Sequence, residues 1–245
     1  MKITSSQRDC AVISQQRHAK RIVWIFFICT LLFSFSAWSK TPQEIFEMVA
    51  PSITVVESLD ESGQLLMFGS GVVISLGEVV TNCHVVETGS FFKVKQGENS
   101  YDATIHYVNS DRDLCQLSVA GLNAPPVKFG SVAKLKTGER VVAIGAPQGW
   151  ELSISEGLVS SLRQSEEGSS LIQTSAPISQ GSSGGGLFNS EGLLVGITTL
   201  FIKDSQNLNF AVPVDWISEL PSRNDGRSQE NPEPSQIPEM EKAIG

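Results

Sequence analysis

From Ile53 to Val212 the chain runs in short β-branched and apolar stretches broken at brief intervals by Gly, Asn, Asp and Ser, the pattern of strands and tight turns rather than of helices. The stretches are Ile53 to Leu59, Leu65 to Ser75, Glu78 to Asn82, Phe91 to Gln96, Tyr101 to Val108 and Leu114 to Val119. Pro125-Pro126 marks a seam, and a second set follows: Arg140 to Ile144, Glu151 to Leu162, Ser169 to Ser175, Gly186 to Asn189, Leu193 to Phe201 and Leu208 to Val212. Two sets of six short strands with little helix between them predict an all-β protein built of two antiparallel six-stranded β-barrels. Barrel one would cover about 52–124 and barrel two about 127–217.

Helical signals stand only at the edges of this pattern. Thr41-Pro42 and Glu44 open a short amphipathic segment, Gln43 to Ala50, with Ile45, Phe46, Met48 and Val49 apolar, and Pro51 stops it. Asp215 to Leu220 has room for one or two closing helical turns. From Pro221 to Gly245 the chain is rich in Ser, Pro, Glu, Asn and Gln with few large apolar residues, and is expected to be a disordered tail.

The first 39 residues change the picture of where the barrels reside. Ile22 to Phe35 is an uncharged apolar run behind Arg17, Lys20 and Arg21, and Ala37-Trp38-Ser39 offers small residues for cleavage after Ser39. The segment reads as a secretory signal peptide, with a retained signal anchor as the alternative; the run is short for a spanning helix of about 20 residues. Either way residues 40–220 form the exported globular part, periplasmic or secreted. The whole chain carries −8; the signal region contributes +4, leaving −12 on the exported part. So acidic a chain lacks the electrostatic footprint for nucleic acid. Of the four cysteines, Cys10 and Cys29 belong to the signal region, and neither a metal spacing nor a redox CxxC occurs.

The chemistry concentrates in Gln180-Gly181-Ser182-Ser183-Gly184-Gly185-Gly186-Leu187. A hydroxyl among glycines contributes little to packing; it fits a site where backbone N–H groups face developing negative charge. A nucleophilic Ser needs a base, and there are three histidines. His18 lies in the signal region, and His106 sits inside a strand run where a surface or packing role is the simpler reading. His84 follows Thr81-Asn82-Cys83 at the turn leaving a strand, where an imidazole can overhang a cleft. For an orienting carboxylate, Asp113 leads directly into a strand, whereas Asp111 stands farther out beside Arg112. Asp102, Asp204 and Asp215 lack a comparable setting.

Seven blocks in order resemble the protease domain of the HtrA/Deg serine proteases of chymotrypsin fold. They are Gly69-Ser70-Gly71-Val72-Val73-Ile74, Thr81-Asn82-x-His84-Val85-Val86, Asp113-Leu114-x-x-Leu117, Gly145-x-Pro147-x-Gly149, Gly157-Leu158-Val159-Ser160, Gln173-Thr174 and Gly181-x-Ser183-Gly184-Gly185. The resemblance runs from about residue 42 to 217. It implies Ser183 as nucleophile rather than the adjacent Ser182, His84 as general base and Asp113 as the residue that orients it. The N–H groups of Gly181 and Ser183 would form the oxyanion hole. Because His84 and Asp113 would then touch, Cys83 and Cys115 are expected to form a disulfide across the pair, with two buried thiols as the alternative.

The chain departs from that family where Ser182 replaces Asn or Asp and where Gln180 and Gly186 replace Pro. The family also leads one to expect a peptide-binding PDZ domain, for which the 25 residues after Leu220 leave no room. In relatives that cut after Lys or Arg an Asp stands six residues before the nucleophile; Pro177 stands there instead. With Ile178, Leu200, Phe201 and Phe210 nearby, an apolar pocket for aliphatic side chains is expected. The reading is an exported serine endopeptidase acting on unfolded or exposed protein segments through an acyl-enzyme, with protein or peptide substrates and without metal or organic cofactor. It would meet a membrane only if the N-terminal segment is retained, and its oligomeric state is open. The alternatives are a catalytically silent protease fold serving as a binding or chaperone module, and an esterase. The order His, Asp, Ser in a strand-rich chain does not match the α/β-hydrolase arrangement.

Overall fold

Both sets of strands close into barrels in the computed structural model, which describes residues 39–147, 151–164, 170–201 and 209–225. For residues 163, 164, 170, 200 and 201 the backbone alone is described. Residues 1–38, on which the expected signal peptide falls, and residues 226–245 of the expected tail lie outside the described residues. Barrel one consists of β1 (Ile53–Leu59), β2 (Leu65–Ser75), β3 (Glu78–Thr81), β4 (Phe91–Gln96), β5 (Asn99–Asn109) and β6 (Leu114–Val119), closed in the order β1-β2-β3-β6-β5-β4. Barrel two consists of β7 (Arg140–Gly145), β8 (Ser153–Gln164), β9 (Ser170–Thr174), β10 (Gly186–Asn189), β11 (Leu194–Phe201) and β12 (Asn209–Pro213), closed in the order β10-β11-β12-β9-β8-β7. Read in reverse, the second order is the first with six added to each strand, so both barrels share one topology. Every strand pairing is antiparallel.

Three apolar clusters hold this arrangement. Val56, Val73, Val79, Val94 and Leu117 fill barrel one; Val141, Val159, Ile172, Leu187 and Val195 fill barrel two. The third lies between the barrels, where Val72, Val80 and Leu114 meet Ile144, Phe188, Phe210 and Val212. This seam fixes how the barrels face each other, and any cleft between them inherits its rigidity.

Helix α1 (Pro42–Val49) joins the same seam cluster through Ile45 and Val49. It starts with a capping box: Glu44 N–H donates to Thr41 Oγ1 at 3.2 Å and Thr41 N–H to Glu44 Oε2 at 2.8 Å. Pro51 lies in a 3₁₀ turn, Ala50–Ser52, that turns the chain into β1.

Two features depart from the expected elements. A one-turn helix, α2 (Cys83–Val86), follows β3, so the turn carrying His84 is helical. A 3₁₀ segment runs over Val214–Ser222, and the chain stays fixed through Asp225 rather than becoming free at Pro221. Asp225 N–H donates to Val108 O at 3.0 Å, Ser110 N–H to Asp225 Oδ2 at 2.8 Å and Val108 N–H to Asn224 Oδ1 at 3.1 Å. Those polar residues give β5 the edge partners that an apolar count along the sequence overlooks.

Ile45, in the first turn of α1, is 0% exposed. Ile45→Ala is expected to lower unfolding stability by about 2–5 kcal/mol, read from the urea midpoint at unchanged m-value.

Candidate active site

A carboxylate buried without partners is costly, so Asp113, 6% exposed, shows what the local fold must supply. It follows a 3₁₀ turn, Ser110–Arg112, and immediately precedes β6. Its backbone is left-handed, φ 50° and ψ 43°, the sole positive φ outside glycine among the described residues. Asp tolerates that region better than most side chains, and the turn presents its carboxylate to α2 and β11. Three donors meet there: His84 N–H on Oδ1 at 3.0 Å, His84 Nδ1 on Oδ2 at 2.8 Å and Thr199 Oγ1 on Oδ2 at 2.7 Å. Asn82 Nδ2 holds the Asp113 carbonyl at 2.8 Å. Thr199 comes from β11, so barrel two completes a site otherwise built by barrel one.

His84 is partly exposed, with Nδ1 committed to Asp113 and Nε2 the ring nitrogen left for chemistry. Burial lowers its pKa, but the hydrogen bond and charge of Asp113, with the charge of Glu87, outweigh it and hold the pKa above the ordinary 6.5. Cys83 and Cys115 form a disulfide with Cα atoms 4.9 Å apart. It ties the first residue of α2 to β6, on either side of the His84–Asp113 pair.

The glycine-rich loop comes from barrel two and lies against the same strands. Ser70 N–H on β2 donates to Ser183 O at 2.7 Å. A Cβ built on Gly69 would fall 2.9 Å from Ser183 O and 2.6 Å from Val85 Cγ2, so Ser183 packs beside the residue that follows His84. Ser182 N–H donates to Ser179 O at 2.9 Å, closing a turn with Gly181 at φ +88°. Positive φ at the third residue alone defines a type II turn, where type I would need about −90°. Gly184, at φ +85°, passes so close to β2 that a Cβ would stand 2.0 Å from Ser70 O. The N–H groups of Gly181 and Ser183 have no acceptor among the described residues. Two neighbouring unpaired donors are uncommon in a loop this enclosed and suit an anionic oxygen. Among the described residues no hydrogen bond joins Ser183 Oγ to His84, a contact that often tightens only around substrate.

The other sequence candidates lie elsewhere. His106 is exposed on β5, stacked on Tyr107 and bonded to Glu78 Oε2 at 3.1 Å. Asp102 pairs with Lys93, Asp111 is exposed, and Asp215 accepts from Ser131 Oγ and Val132 N–H. Asp204 and the side chains of Leu200 and Phe201 fall outside the described residues. Ile178 and Phe210 are buried and Pro177 is exposed. No group of His, Cys, Asp and Glu able to hold a metal occurs among the described residues. Gly186, one of the three departures, opens β10 and faces Phe188, whose ring a Cβ would meet at 2.4 Å. Thr199 and Ser70 carry weight here that sequence reasoning missed. Ser70 stood inside the quoted Gly69-Ser70-Gly71 block, but Thr199 gave no signal beyond its place in a strand.

Residues 69–197 match the family model described as a trypsin-like peptidase domain. The chain is 36% identical over 155 residues to the putative serine protease HhoB of Synechocystis sp., covering 60% of this chain and 37% of that protein. It is 36% identical over 181 residues to a probable periplasmic serine endoprotease, DegP-like, of Pseudomonas putida, covering 71% of this chain and 38% of the relative. The chain thus spans less than two fifths of the length of those relatives. The crystal structure of Deg5 superposes with a TM-score of 0.63 at 31% identity, over 72% of this chain and 90% of that one.

A proton NMR titration is expected to give His84 a pKa above 6.5 that falls in Asp113→Asn. Since the folded value is raised, the pair's contribution to stability is complete below 6.5 and is lost as pH rises through the folded value; Asp113→Asn should remove that dependence. Thiol titration of the native chain should find Cys83 and Cys115 unreactive, and reduction should cost about 2–4 kcal/mol of unfolding free energy.

Proposed function

The chain belongs to the trypsin-like peptidase family, and from that premise we propose that it is an exported serine endopeptidase with Ser183 as nucleophile, His84 as general base and Asp113 as the residue that orients the base. The observation that carries the proposal is the His84–Asp113 pair lying beside a loop that leaves the Gly181 and Ser183 N–H groups unpaired. Two elements from different barrels converge on one small volume, each with the half of the chemistry that the other lacks.

In this reading Ser183 Oγ attacks the scissile carbonyl as its proton passes to His84 Nε2. Asp113 fixes the tautomer that leaves Nε2 free and stabilises the imidazolium. The two N–H groups receive the carbonyl oxygen as it becomes an oxyanion, worth on the order of 3 kcal/mol per donor. The imidazolium returns its proton to the departing amine, leaving an acyl-enzyme. Water then attacks with His84 again as base, freeing the acid product and restoring Ser183. Unfolded or exposed protein segments are the substrates that a cleft between two rigid barrels can accept in extended form. Aliphatic side chains at the cut fit the absence of an acidic residue at position 177 and the apolar Ile178 and Phe210. The apolar run behind basic residues in the first 39 residues and the disulfide both favour an oxidising compartment outside the cytoplasm.

Ser183→Ala should bring cleavage of an unfolded, alkylated protein to background, a loss of about 10⁶ in kcat, at unchanged melting temperature. Equal cleavage by both chains would remove Ser183 from the role. For the unmodified chain, kcat/KM should rise with pH through the raised pKa of His84, because the base acts in its neutral form.

A further inference from the structure

The loop that bears Ser183 lies on barrel two, while the base lies on barrel one, so something must register one against the other to a fraction of an ångström. Three hydrogen bonds across that boundary converge on one residue. Ser70, 0% exposed on β2, reaches the loop with both its main chain and its side chain. Its N–H donates to Ser183 O at 2.7 Å, and its Oγ donates to Gly181 O at 2.8 Å. The same Oγ accepts from Ala146 N–H at 2.8 Å, just past β7, so the hydroxyl both donates and accepts and its rotor is locked. Behind it, Thr81 Oγ1 donates to Ser70 O at 2.7 Å, two residues before Cys83 and the helix that carries His84. One residue therefore links the strand leading to the base with the two loop residues that offer unpaired N–H groups.

We propose that Ser70 is a positioning residue for oxyanion binding: its buried hydroxyl pins the Gly181 carbonyl and so holds the Gly181 and Ser183 donors at a fixed distance from His84. The peptide planes of the loop make the argument concrete. The Gly181–Ser182 plane is held on both sides, by Ser70 Oγ on its carbonyl and by Ser179 O on its N–H. In the Ser182–Ser183 plane the carbonyl accepts from Thr198 Oγ1 at 2.6 Å and from Gly185 N–H at 3.0 Å, which points the Ser183 N–H the opposite way. The Ser183–Gly184 plane is held by Ser70 N–H and by Thr198 O, which accepts from Gly184 N–H at 2.8 Å. Only the Gln180–Gly181 plane has no bond among the described residues. With the Gly181 carbonyl pinned, φ of Gly181 is the one rotation left to aim its N–H. Without the hydroxyl, the Gly181–Ser182 plane is held on its N–H side alone, next to a Gln180–Gly181 plane that has no bond among the described residues, and Ala146 N–H and Gly181 O lose their partner in a buried place. This also bears on the departures at Gln180, Ser182 and Gly186. The loop needs no side chain from those positions if its planes are held by Ser70 and Thr198.

The inference rests on the proposed peptidase reading, so the test separates the two. The full chain and Ser70→Ala are titrated with a fluorophosphonate to count working sites, and kcat and KM are measured per titrated site. Ser70→Ala should lower kcat by about 10- to 100-fold, short of the loss on deleting a donor outright, with KM within about threefold. A peptidyl boronate, which places an anionic tetrahedral centre in the hole, should weaken by the same factor, while the pKa of His84 stays in place. Ser70→Cys keeps the side-chain shape with a somewhat larger, weaker donor and should fall between; it serves also if the Ala chain does not fold. A kcat per titrated site within about twofold of the unmodified chain, or a loss confined to KM or to the number of sites, overturns the proposal alone. An unmodified chain that folds yet takes no label and cleaves nothing overturns the peptidase reading and this proposal with it.

Discussion

The carboxylate of Asp113 is the constraint around which the other parts of the site are arranged. It is charged and 6% exposed, and leaving such a group without partners costs about 3–5 kcal/mol. Its three donors come from α2 and β11, elements more than 100 residues apart that meet only if both barrels close and dock in one way. The left-handed backbone at Asp113 is tolerated because those bonds over-determine it. Closure of barrel one brings His84 to Asp113, and docking of barrel two adds Thr199 as the third donor. The apolar seam from Val72 and Val80 to Phe188 and Phe210 supplies the driving force, and the carboxylate supplies the registration.

Short β-branched and apolar stretches broken by Gly, Asn, Asp and Ser made the two barrels legible to within two residues at the strand ends, because turn residues punctuate strands that are buried along most of their length. The contact between His84 and Asp113 was legible because few residues qualify: three histidines, one of them at a strand exit, and an aspartate that leads directly into a strand. What the sequence kept hidden is of two kinds. Helix α2 is a single turn, too short for any periodicity to register, and Pro221 to Asp225 is fixed by hydrogen bonds on β5 that composition cannot anticipate. Thr199 and Ser70 act through contacts with residues 86 and 111 positions away, and separation of that order leaves no trace in local pattern.

The glycine-rich loop illustrates a further difference between resemblance and geometry. By resemblance Ser182 and Gly186 are departures that could loosen the loop. By geometry Ser182 serves through its main chain, accepting from Thr198 Oγ1 and Gly185 N–H, and Gly186 belongs to β10. Backbone groups, unlike side chains, are present whatever residue occupies the position. A loop whose planes are fixed by main-chain bonds and by hydroxyls reaching in from β2 and β11 tolerates change at its own side chains better than one fixed by them.

The disulfide complements this arrangement because its hold does not depend on protonation. The His84–Asp113 attraction changes strength as the imidazole gains and loses its proton, and a one-turn helix has too few internal bonds to hold its place alone. Cys83 begins that helix and Cys115 lies on β6 two residues past Asp113, so the covalent link keeps α2 on the barrel whether the ring is charged or neutral. Both sulfurs are buried in the apolar core of barrel one, where Cys83 and Cys115 are 6% and 1% exposed, so the link also belongs to the packing that shapes the barrel. The charge pair sets the orientation of the ring, and the disulfide sets the position of the helix that carries it. Dividing the task in this way lets a proton come and go at His84 without releasing the backbone on which the geometry rests.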